Sequence, residues 1–481
     1  MKVEFVFFYV FSLIQYVYCF NQHFTNPLQR FIYDENTHTI ILASVNHIYS
    51  LNASDLTILN DINLTPEENE NHCLLTNRTS LINPNYYFPI SSYLTPAINS
   101  TFNQLLLVVN NSILICSTAN RGGSCQLRSL VNLDLLKTST QRLVSSSPYY
   151  PSIGFLSQNK QILYLSNTYD VHCDPFYEIP TISGRTLSNN DFLSIINLNS
   201  GQSALQQSTY TLRLSNIRLI KDFFLYYLYG FEHENISYFL TIQQSDIHHP
   251  RKYRLQTKIL RFCQSLKQTI IKSYIEIPLT CGQHYHYLVT AKYSPDEQIL
   301  YGIFRNTTLA NGSSTSHAIC SYTIESIREA FFQTIKRCLV DGKGYRGLGH
   351  LSPDTHCMAN KNLNEINHDY CPDEDDSFFQ YPIGDHRALE QTEPIIEFHE
   401  QVNLTAIEIF SMENDEMIFV GDDHGTLYTF QTSNKNQISK ETYPSSIIID
   451  LKLIQTKASL KNANLLVLTN NQVRHKRTRS L

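Results

Sequence analysis

One pattern recurs along this chain: a short apolar run, a polar turn and a second short apolar run. The runs are rich in Ile, Leu, Val, Tyr and Phe, and the turns are rich in Asn, Asp, Ser and Gly. Short β-rich runs bounded by turn residues are typical of paired strands. The seven copies occupy residues 38–51, 104–116, 153–165, 222–242, 298–304, 408–430 and 451–469. This recurrence predicts an all-β fold of radially repeated sheets, a β-propeller.

The spacing of the copies sets a condition on that fold. It averages about 65 residues, against the 40 to 45 of a compact propeller blade. The blades must therefore carry long connections. A pair of β-sandwiches is the alternative that the pattern leaves open.

Residues 1–19 predict a cleaved secretory signal. Lys2 gives a basic start, residues 5–14 form an apolar run, and Cys19 stands at the cleavage position. The run is well short of the about 20 apolar residues that a membrane anchor needs. We expect the mature chain to begin at Phe20, to enter the secretory pathway and to act outside the cell.

Export agrees with the number of N-glycosylation sequons. Each used site must face solvent, so each predicts a loop or an exposed strand end. The sequons lie at Asn52, Asn63, Asn77, Asn99, Asn110, Asn235, Asn306, Asn311 and Asn403.

Cysteine usage favours disulfides over a metal site. Of the eleven cysteines, Cys19 falls in the signal, which leaves an even number in an oxidising compartment. Six lie between Arg261 and Cys371, and their gaps are wider than the two to four residues of zinc sites. The spacing alone does not fix how they pair.

The same stretch contains a predicted helix. Ser326 and Glu329 form a capping box, and Ile327, Phe331 and Ile335 share one face together with Ala330. We interpret the helix as an insertion on one blade. The acidic run at 371–393 could bind calcium, but it lacks EF-hand spacing, which favours a solvated loop.

The chain ends in a basic segment, residues 474–481. Arg474 to Arg477 match the Arg-x-Lys-Arg pattern that secretory convertases cut, and an ordinary basic tail is the alternative reading. The net charge of −6 is spread along the chain and indicates no nucleic-acid partner.

Several segments resemble, in order, the sema domain of plexins, the cell-surface receptors for semaphorins. The matching segments are VNHIYSL at 45–51, NQLLLVVNNSILICSTANRGGSCQLRSL at 103–130, IGFLSQNKQILYLSNTY at 153–169, ILRFC and SYIEIPLTC ending at Cys263 and Cys281, FVGDDHGTLYTF at 419–430, and LLVLTNNQVRHK at 465–476. The resemblance covers nearly the whole mature chain. It implies a seven-bladed β-propeller over residues 20–473, with a small helical extrusion on blade five at about 320–400.

The resemblance also implies particular disulfides. Carried over by position, they are Cys116 to Cys125, Cys263 to Cys371, Cys281 to Cys320 and Cys338 to Cys357. The Cys263 to Cys371 bond would pin the extrusion to the blade that carries it. Plexins have two nearby cysteines in the first-blade loop, whereas this chain has Cys73 there and an additional Cys173, so we hypothesise that these two pair with each other.

The function implied is recognition. A plexin sema domain binds semaphorin-like ligands, largely through loops of blades three and four, which correspond to residues 172–251. Exposed aromatic and acidic candidates there are Tyr177, Glu178, Phe231 and Glu232. The alternative is a secreted ligand or decoy that acts as a homodimer. Semaphorins share the fold, but they usually carry tryptophan motifs that this Trp-free chain lacks.

A receptor would need further segments. Plexins continue into a cysteine-rich module, immunoglobulin-like repeats, a membrane span and a cytoplasmic region. We therefore expect either a secreted sema domain or the ectodomain fragment of a plasma-membrane receptor, attached to a membrane only through downstream segments.

No catalytic, cofactor or metal site is expected. The match of Gly342 to Gly347 with G-x-G-x-x-G lies between two cysteines rather than between a strand and a helix. Asp422 and Asp423 fit a hairpin turn better than a glycosidase pair. A propeller glycoside hydrolase is a remote alternative, and it would need paired carboxylates in the central channel.

Overall fold

The computed structural model describes residues 20–64, 100–118, 123–139, 141–168, 179–188, 191–197, 210–214, 223–244, 255–264, 269–306, 316–372, 382–384, 387–391, 393–398, 402–412, 415–433, 437–443, 446–454 and 464–477. The statements that follow concern these residues.

The described strands form seven antiparallel blades of four strands each. Each predicted module contributes strands to a different blade, so the propeller prediction is confirmed and the sandwich alternative is wrong. From the inner strand outward, blade one is β2 (Leu28–Asp34), β3 (Thr39–Ser44), β4 (His47–Asn52) and β5 (Ile58–Asn63); blade two is β6 (Asn103–Val109), β7 (Ser112–Ser117), β8 (Ser124–Ser129) and β9 (Leu135–Thr138); and blade three is β10 (Ser152–Leu156), β11 (Ile162–Asn167), β12 (Ile182–Thr186) and β13 (Thr211–Leu212). Blade four is β14 (Leu225–His233), β15 (Ile236–Gln244), β16 (Leu255–Cys263) and β17 (Ile275–Cys281), and blade five is β18 (Tyr285–Ser294), β19 (Ile299–Asn306), β20 (His317–Thr323) and β25 (Ile396–Phe398). Blade six is β26 (Leu404–Met412), β27 (Asp415–Asp422), β28 (Thr426–Gln431) and β29 (Gln437–Thr442), and blade seven is β30 (Ile448–Ile454), β31 (Asn464–Thr469), β32 (Gln472–Arg477) and β1 (Asn21–His23).

The N-terminal strand closes the ring. Consecutive inner strands contact one another from β2 round to β30, and β30 contacts β2. β1 supplies the outer strand of blade seven by pairing with β32, so the two ends of the chain share one sheet. Closure of this kind leaves no open edge between the first and last blades.

The hydrophobic core is divided among the blade interfaces. Each apolar cluster lies between two neighbouring blades: Leu28 of blade one, for example, packs in one cluster with Leu466 and Val473 of blade seven. Side chains alternate across a strand, so both faces of most inner and middle strands are buried against neighbours. This explains the near-continuous apolar runs, such as β3 and β15, in which every residue is buried.

The extrusion lies between β20 and β25 of blade five. It contains α2 (Ile324–Leu339), β21 (Tyr345–Arg346), β22 (Thr355–His356), a 3₁₀ turn (Leu363–Glu365), β23 (Ile383–Gly384) and β24 (Leu389–Gln391). β23 and β24 pair in parallel with β17 of blade four. The extrusion is therefore inserted in one blade and packed on the next. A short helix, α1 (Ile270–Ser273), precedes β17.

The predicted cap of α2 is wrong by three residues, whereas the predicted apolar face is correct. Thr323 caps the helix, with its side chain accepting from the backbone N–H of Ser326 at 3.2 Å. Thr323 ends β20, so the strand leads directly into the helix. Ile327, Phe331 and Ile335 are all buried, and Ala330 packs beside them.

Two boundaries differ from the sequence interpretation. Cys320, where we began the extrusion, lies within blade strand β20, and the insertion begins at Ile324. Arg474 to Arg477, assigned to a basic tail, lie in β32, because this segment supplies the strand that receives β1. Among the described residues, no helix is long and apolar enough to cross a membrane.

Candidate ligand-binding face

Strand direction divides the blade connections between the two faces of the disc. Because neighbouring strands in a blade are antiparallel, each inner strand begins on the face where the second strand ends. We call this the proximal face; it carries the connections between blades and those between second and third strands. The distal face carries the other hairpin turns, including the β14–β15 turn at Asn235.

A group of aromatic side chains lies on the proximal face where blades two, three and four meet. It consists of Tyr149 and Tyr150, which precede β10, and Phe224 and Tyr226 at the start of β14. Tyr149, Tyr150 and Phe224 are half-buried, whereas Tyr226 is buried. We call these four residues the aromatic cluster.

Contacts between blades hold the aromatic cluster together. The Tyr226 hydroxyl donates to the main-chain oxygen of Tyr149 at 3.5 Å, and the rings of Phe224 and Tyr226 stack with centroids 6.1 Å apart. Burial and the nearby Tyr150 raise the pKa of Tyr226, so its hydroxyl stays a donor at physiological pH. Partly exposed aromatic rings on a rigid scaffold are the side chains that dominate binding energy in protein interfaces.

The sequence analysis missed the aromatic cluster. The available signal was the run Pro148-Tyr-Tyr-Pro151, in which two prolines stiffen a connection that presents adjacent aromatic residues.

Polar contacts fix the neighbouring connections of blades three and four. The backbone N–H of Tyr227 donates to the hydroxyl of Thr168 at 3.0 Å, where β11 has just ended. The hydroxyls of Tyr227 and Thr181, which precedes β12, lie 3.0 Å apart. Both ends of the connection between β11 and β12 are therefore anchored to blade four.

The structure corrects one of the exposed candidates. Phe231 is 5% exposed and stacks between Tyr238 and Tyr293, because its position in β14 faces the interior of blades four and five. Glu232 is half-buried, accepts from Gln264 and has a pKa raised by burial. Tyr177 and Glu178 lie outside the described residues.

The extrusion reaches blade four through a buried ionic cluster. Glu276 of β17 pairs with Lys258, accepts from Gln243 at 2.9 Å and accepts from Tyr274 at 2.8 Å. His350 of the extrusion lies 3.7 Å from the same carboxylate. Burial acts to raise the pKa of Glu276. The attraction of Lys258 and His350 outweighs burial and lowers the pKa from 4.5 to about 2.

His350 also connects the extrusion to the candidate face. It is 3% exposed and stacks on the ring of Phe223 with centroids 4.5 Å apart. Phe223 directly precedes Phe224 of the aromatic cluster. The position of the extrusion therefore helps to fix the position of this cluster.

The structure contains the four disulfides that the resemblance implies, Cys116–Cys125, Cys263–Cys371, Cys281–Cys320 and Cys338–Cys357. One expectation about their role is wrong. Cys263 lies in β16, so its bond ties the extrusion to blade four rather than to blade five, which carries it. The Cys281–Cys320 bond joins strand β17 of blade four to strand β20 of blade five. Cys73 and Cys173 lie outside the described residues.

The described sequons differ in their surroundings. Asn63, Asn110 and Asn235 are exposed, and Asn52, Asn306 and Asn403 are half-buried. Asn403 donates its side-chain amide to Asp423 at 2.8 Å, and Thr405 of the same sequon is buried. Asn77, Asn99 and Asn311 lie outside the described residues.

Two carboxylates do occur on inner strands, as the hydrolase alternative requires. Glu408 of β26 and Asp450 of β30 interact electrostatically, and Lys292 of β18 binds Glu408 at 2.7 Å. Glu408 is 4% exposed, and an ammonium already neutralises its charge. A buried carboxylate in an ion pair is poorly placed to act as a nucleophile or a base, so this arrangement favours a structural tie between blades.

The other candidate sites take structural roles. Asp422 is buried and accepts from the backbone of His424 and Thr426 and from the Tyr428 hydroxyl. Asp423, which lies with Asp422 and His424 in a cluster of possible metal ligands, accepts from Asn403. These carboxylates hold the β27–β28 turn, as predicted. The glycine motif 342–347 lies between Cys338 and Cys357, which are bonded to each other, and it contains the two-residue strand β21.

Comparisons with known proteins agree with this architecture. The family model of the Sema domain matches residues 283–466. Mouse Plexin-A4 is 24% identical over 433 residues, which cover 82% of this chain and 21% of that protein. The chain thus spans about a fifth of the length of the curated relatives that it matches.

Two solved structures share the fold. The full extracellular region of Plexin A4 superposes with a TM-score of 0.72 at 22% identity, covering 96% of this chain and 40% of that one. The structure of Drosophila Plexin A in complex with Semaphorin 1b gives a TM-score of 0.60 at 14% identity. The superposition covers 95% of this chain and 86% of the matched chain. Together with the family match over residues 283–466, the seven blades and the inserted extrusion show that the chain has the sema-domain propeller fold.

Proposed function

We propose that this domain is an extracellular recognition module that binds a semaphorin-like protein ligand, without catalysis of its own. The observation that carries the proposal is the aromatic cluster on the proximal face, at blades two to four. In support, one structure with the same fold is a plexin in complex with a semaphorin.

The geometry favours the proximal face over the distal face. Asn235 is exposed at the tip of the β14–β15 turn, within the stretch that the resemblance assigns to ligand binding. An N-glycan at Asn235 would occupy the distal side of blade four. The ligand would then approach the side that presents Tyr149, Tyr150 and Phe224.

The size of such a contact is consistent with one standard interface. A stable protein complex buries about 800 Å² on each partner, with a few central aromatic side chains supplying most of the energy. The half-buried rings of the aromatic cluster suit that central position. The polar blade connections around them would form the rim.

Binding measurements with single substitutions test this proposal. The chain from Phe20 is secreted from animal cells, immobilised, and exposed to a panel of purified semaphorins. We expect one or more to bind, and we expect Tyr149→Ala and Phe224→Ala each to weaken binding about tenfold or more. Tyr345→Ala is the matched control, because Tyr345 is an aromatic residue on the extrusion and is 59% exposed.

Three results would reject the proposal. These are no binding across the panel, unchanged affinity in both cluster variants, and an equal loss in the Tyr345 control. Thermal midpoints of all variants must match the parent protein, so that lost affinity reports the contact and not the fold.

A further inference from the structure

A buried arginine lies at the boundary between blades two and three, and among the described residues it forms no ion pair. Arg185 of β12 is 0% exposed. Its Nε donates to the Ser183 hydroxyl at 3.0 Å. Its Nη1 donates to the main-chain oxygen of Leu193 at 3.0 Å and to the side-chain oxygen of Gln141 at 3.1 Å. All three acceptors are neutral, so these contacts do not compensate the positive charge.

The described surroundings of Arg185 are themselves positive. Burial, together with repulsion from Arg213, lowers the pKa of Arg185 to about 9, so the guanidinium is still charged at physiological pH. Lys137 of β9 lies 5.6 Å from the centre of the Phe192 ring, in the loop that binds Arg185. Asp191 of the same loop is exposed and does not contribute to the pKa shift of Arg185. A buried charge is costly unless an opposite charge accompanies it, so this site favours an anion.

Gln141 occupies the position that an anion would take. Its side chain is exposed, and its oxygen is the only one of the three acceptors that comes from outside blade three. The backbone of Gln141 is fixed, because its N–H donates to the Ser139 hydroxyl at 3.1 Å and its main-chain oxygen accepts from the same hydroxyl at 2.9 Å. The side chain can therefore turn into solvent without moving the loop, and this rotation opens a path to the guanidinium.

We propose that Arg185 forms the floor of a binding site for a tetrahedral oxyanion, a sulfate or phosphate group, whose oxygen replaces the side-chain oxygen of Gln141. A guanidinium presents its N–H donors in a planar fork that matches such a group, and the resulting hydrogen bonds are charge-assisted. Outside the cell this group has two sources, a free inorganic anion and a sulfate ester on a polysaccharide. The inference does not depend on the proposed semaphorin-like ligand.

Gln141→Glu tests the proposal by placing a carboxylate where the anion would bind. In sodium chloride we expect the thermal midpoint of this variant to exceed that of the parent by about 1–2 °C, because the carboxylate pairs with Arg185. Gln126→Glu is the matched control. The side-chain oxygen of Gln126 accepts from Nε of Arg128 at 2.8 Å, but Asp134 already acts on that guanidinium. The control should therefore gain less than Gln141→Glu.

Replacement of sodium chloride by sodium sulfate at equal ionic strength tests for the anion itself. Sulfate stabilises most folded proteins because it is excluded from their surfaces, so the informative quantity is the difference between variants. We use about 10 mM sulfate, which nearly fills a site with a Kd of about 1 mM. The midpoints of the parent and of Gln126→Glu should rise by about 1–2 °C more than that of Gln141→Glu. Arg185→Met, which removes the guanidinium, should also lack this additional rise.

A heparin oligosaccharide and its desulfated counterpart distinguish the two sources. An additional rise with the sulfated oligosaccharide, absent with the desulfated one and in both site variants, would assign the site to a sulfated polysaccharide. A rise with inorganic sulfate alone would assign it to a free anion, and either result supports the site.

Two results would overturn the proposal. One is an equal response to sulfate in the parent, Gln141→Glu and Arg185→Met, which would reflect exclusion from the surface alone. The other is no gain from Gln141→Glu in chloride, which would show that a carboxylate of the chain already neutralises Arg185. Circular dichroism shows which variants are folded, and if one site variant is not, the comparison of the parent with the other decides.

Discussion

Arg261 of β16 donates through Nη1 to the main-chain oxygen of His368 in the extrusion, over 2.7 Å. A second nitrogen of the same guanidinium reaches the carbonyl of Tyr370 at 3.3 Å, and the group lies 5.2 Å from the centre of the Phe331 ring. Arg261 is 1% exposed. One buried side chain of blade four thus holds both the helix of the extrusion and the segment that leads to Cys371.

We therefore expect Arg261→Met to release the extrusion. Loss of two hydrogen bonds from a buried charged group should lower the free energy of unfolding by about 2–4 kcal/mol. Denaturant unfolding measures that loss, and proteolysis within residues 340–372 should accelerate. The exposed Arg387→Met is the control. Unchanged cleavage in Arg261→Met would show that the disulfides suffice to hold the extrusion.

Cys73 and Cys173 give a second prediction. The chain leaves β5 and β11 on the proximal face, so the two connections that contain these cysteines start on the same side of the disc. We expect non-reducing peptide mapping to find them joined. The sequence interpretation expected this bond to tie blades one and two, but the connection after β11 belongs to blade three, so the bond would tie blades one and three. Either residue recovered as a free thiol after alkylation would disprove the pairing. The Cys116–Cys125 peptide provides an internal control for the digest.

The ring closure by β1 gives a third prediction. β32 lies between β31 and β1, and His475 of the convertase motif is buried, with its backbone N–H bonded to the Phe20 oxygen at 3.1 Å. A protease needs an extended, accessible strand. The secreted chain should therefore resist a furin-type convertase after Arg477, and deletion of residues 20–23 should make it cleavable and lower its thermal midpoint. Cleavage of the intact chain at the same rate would contradict this prediction.

Glycan occupancy gives a fourth prediction. Asn235 and Asn110 are exposed in hairpin turns. By contrast, the side-chain amide of Asn403 donates to Asp423, and the hydroxyl of Thr405, which completes the same sequon, donates to the Gly421 oxygen at 3.2 Å. We expect glycopeptide mass spectrometry to find Asn235 and Asn110 occupied and Asn403 mostly unmodified. Asp423→Ala frees the Asn403 amide and should raise occupancy there. Full occupancy of Asn403 in the parent protein would show that transfer precedes folding of this turn.

The sequence predicted the repeating unit well because each module carries its own signals. Alternating apolar runs and turn residues act locally, so seven modules gave seven blades, and the β27–β28 turn appeared at Gly421 to Gly425 as expected. The role of Cys263 was mispredicted because the placement of the extrusion on blade four depends on long-range contacts, such as that of Arg261 with His368. The aromatic cluster escaped prediction for the same reason: Tyr149 and Phe224 are distant in sequence, and only the closed ring makes them neighbours.

The charged residues on the inner strands, Lys292, Glu408 and Asp450, give the last prediction, a dependence of stability on pH. Burial raises the pKa of Asp450 to about 6, although Lys292 opposes the shift. The unfolded carboxyl titrates near 3.8, so the folded state holds its proton more tightly, and this contribution to stability is complete below pH 3.8 and lost as the pH rises through 6. Asp450→Asn, which mimics the protonated group, should therefore be more stable than the parent by about 1–2 kcal/mol at pH 7.5, after allowance for solvent screening. The difference should vanish near pH 4, because the parent is then protonated as well.

Thermal or denaturant unfolding of both proteins from pH 4 to 8 measures this difference in stability, with Asp296→Asn, in a turn of blade five, as the control. A variant that is less stable than the parent at pH 7.5 would show that the attraction of ionised Asp450 to Lys292 and Lys452 outweighs its burial.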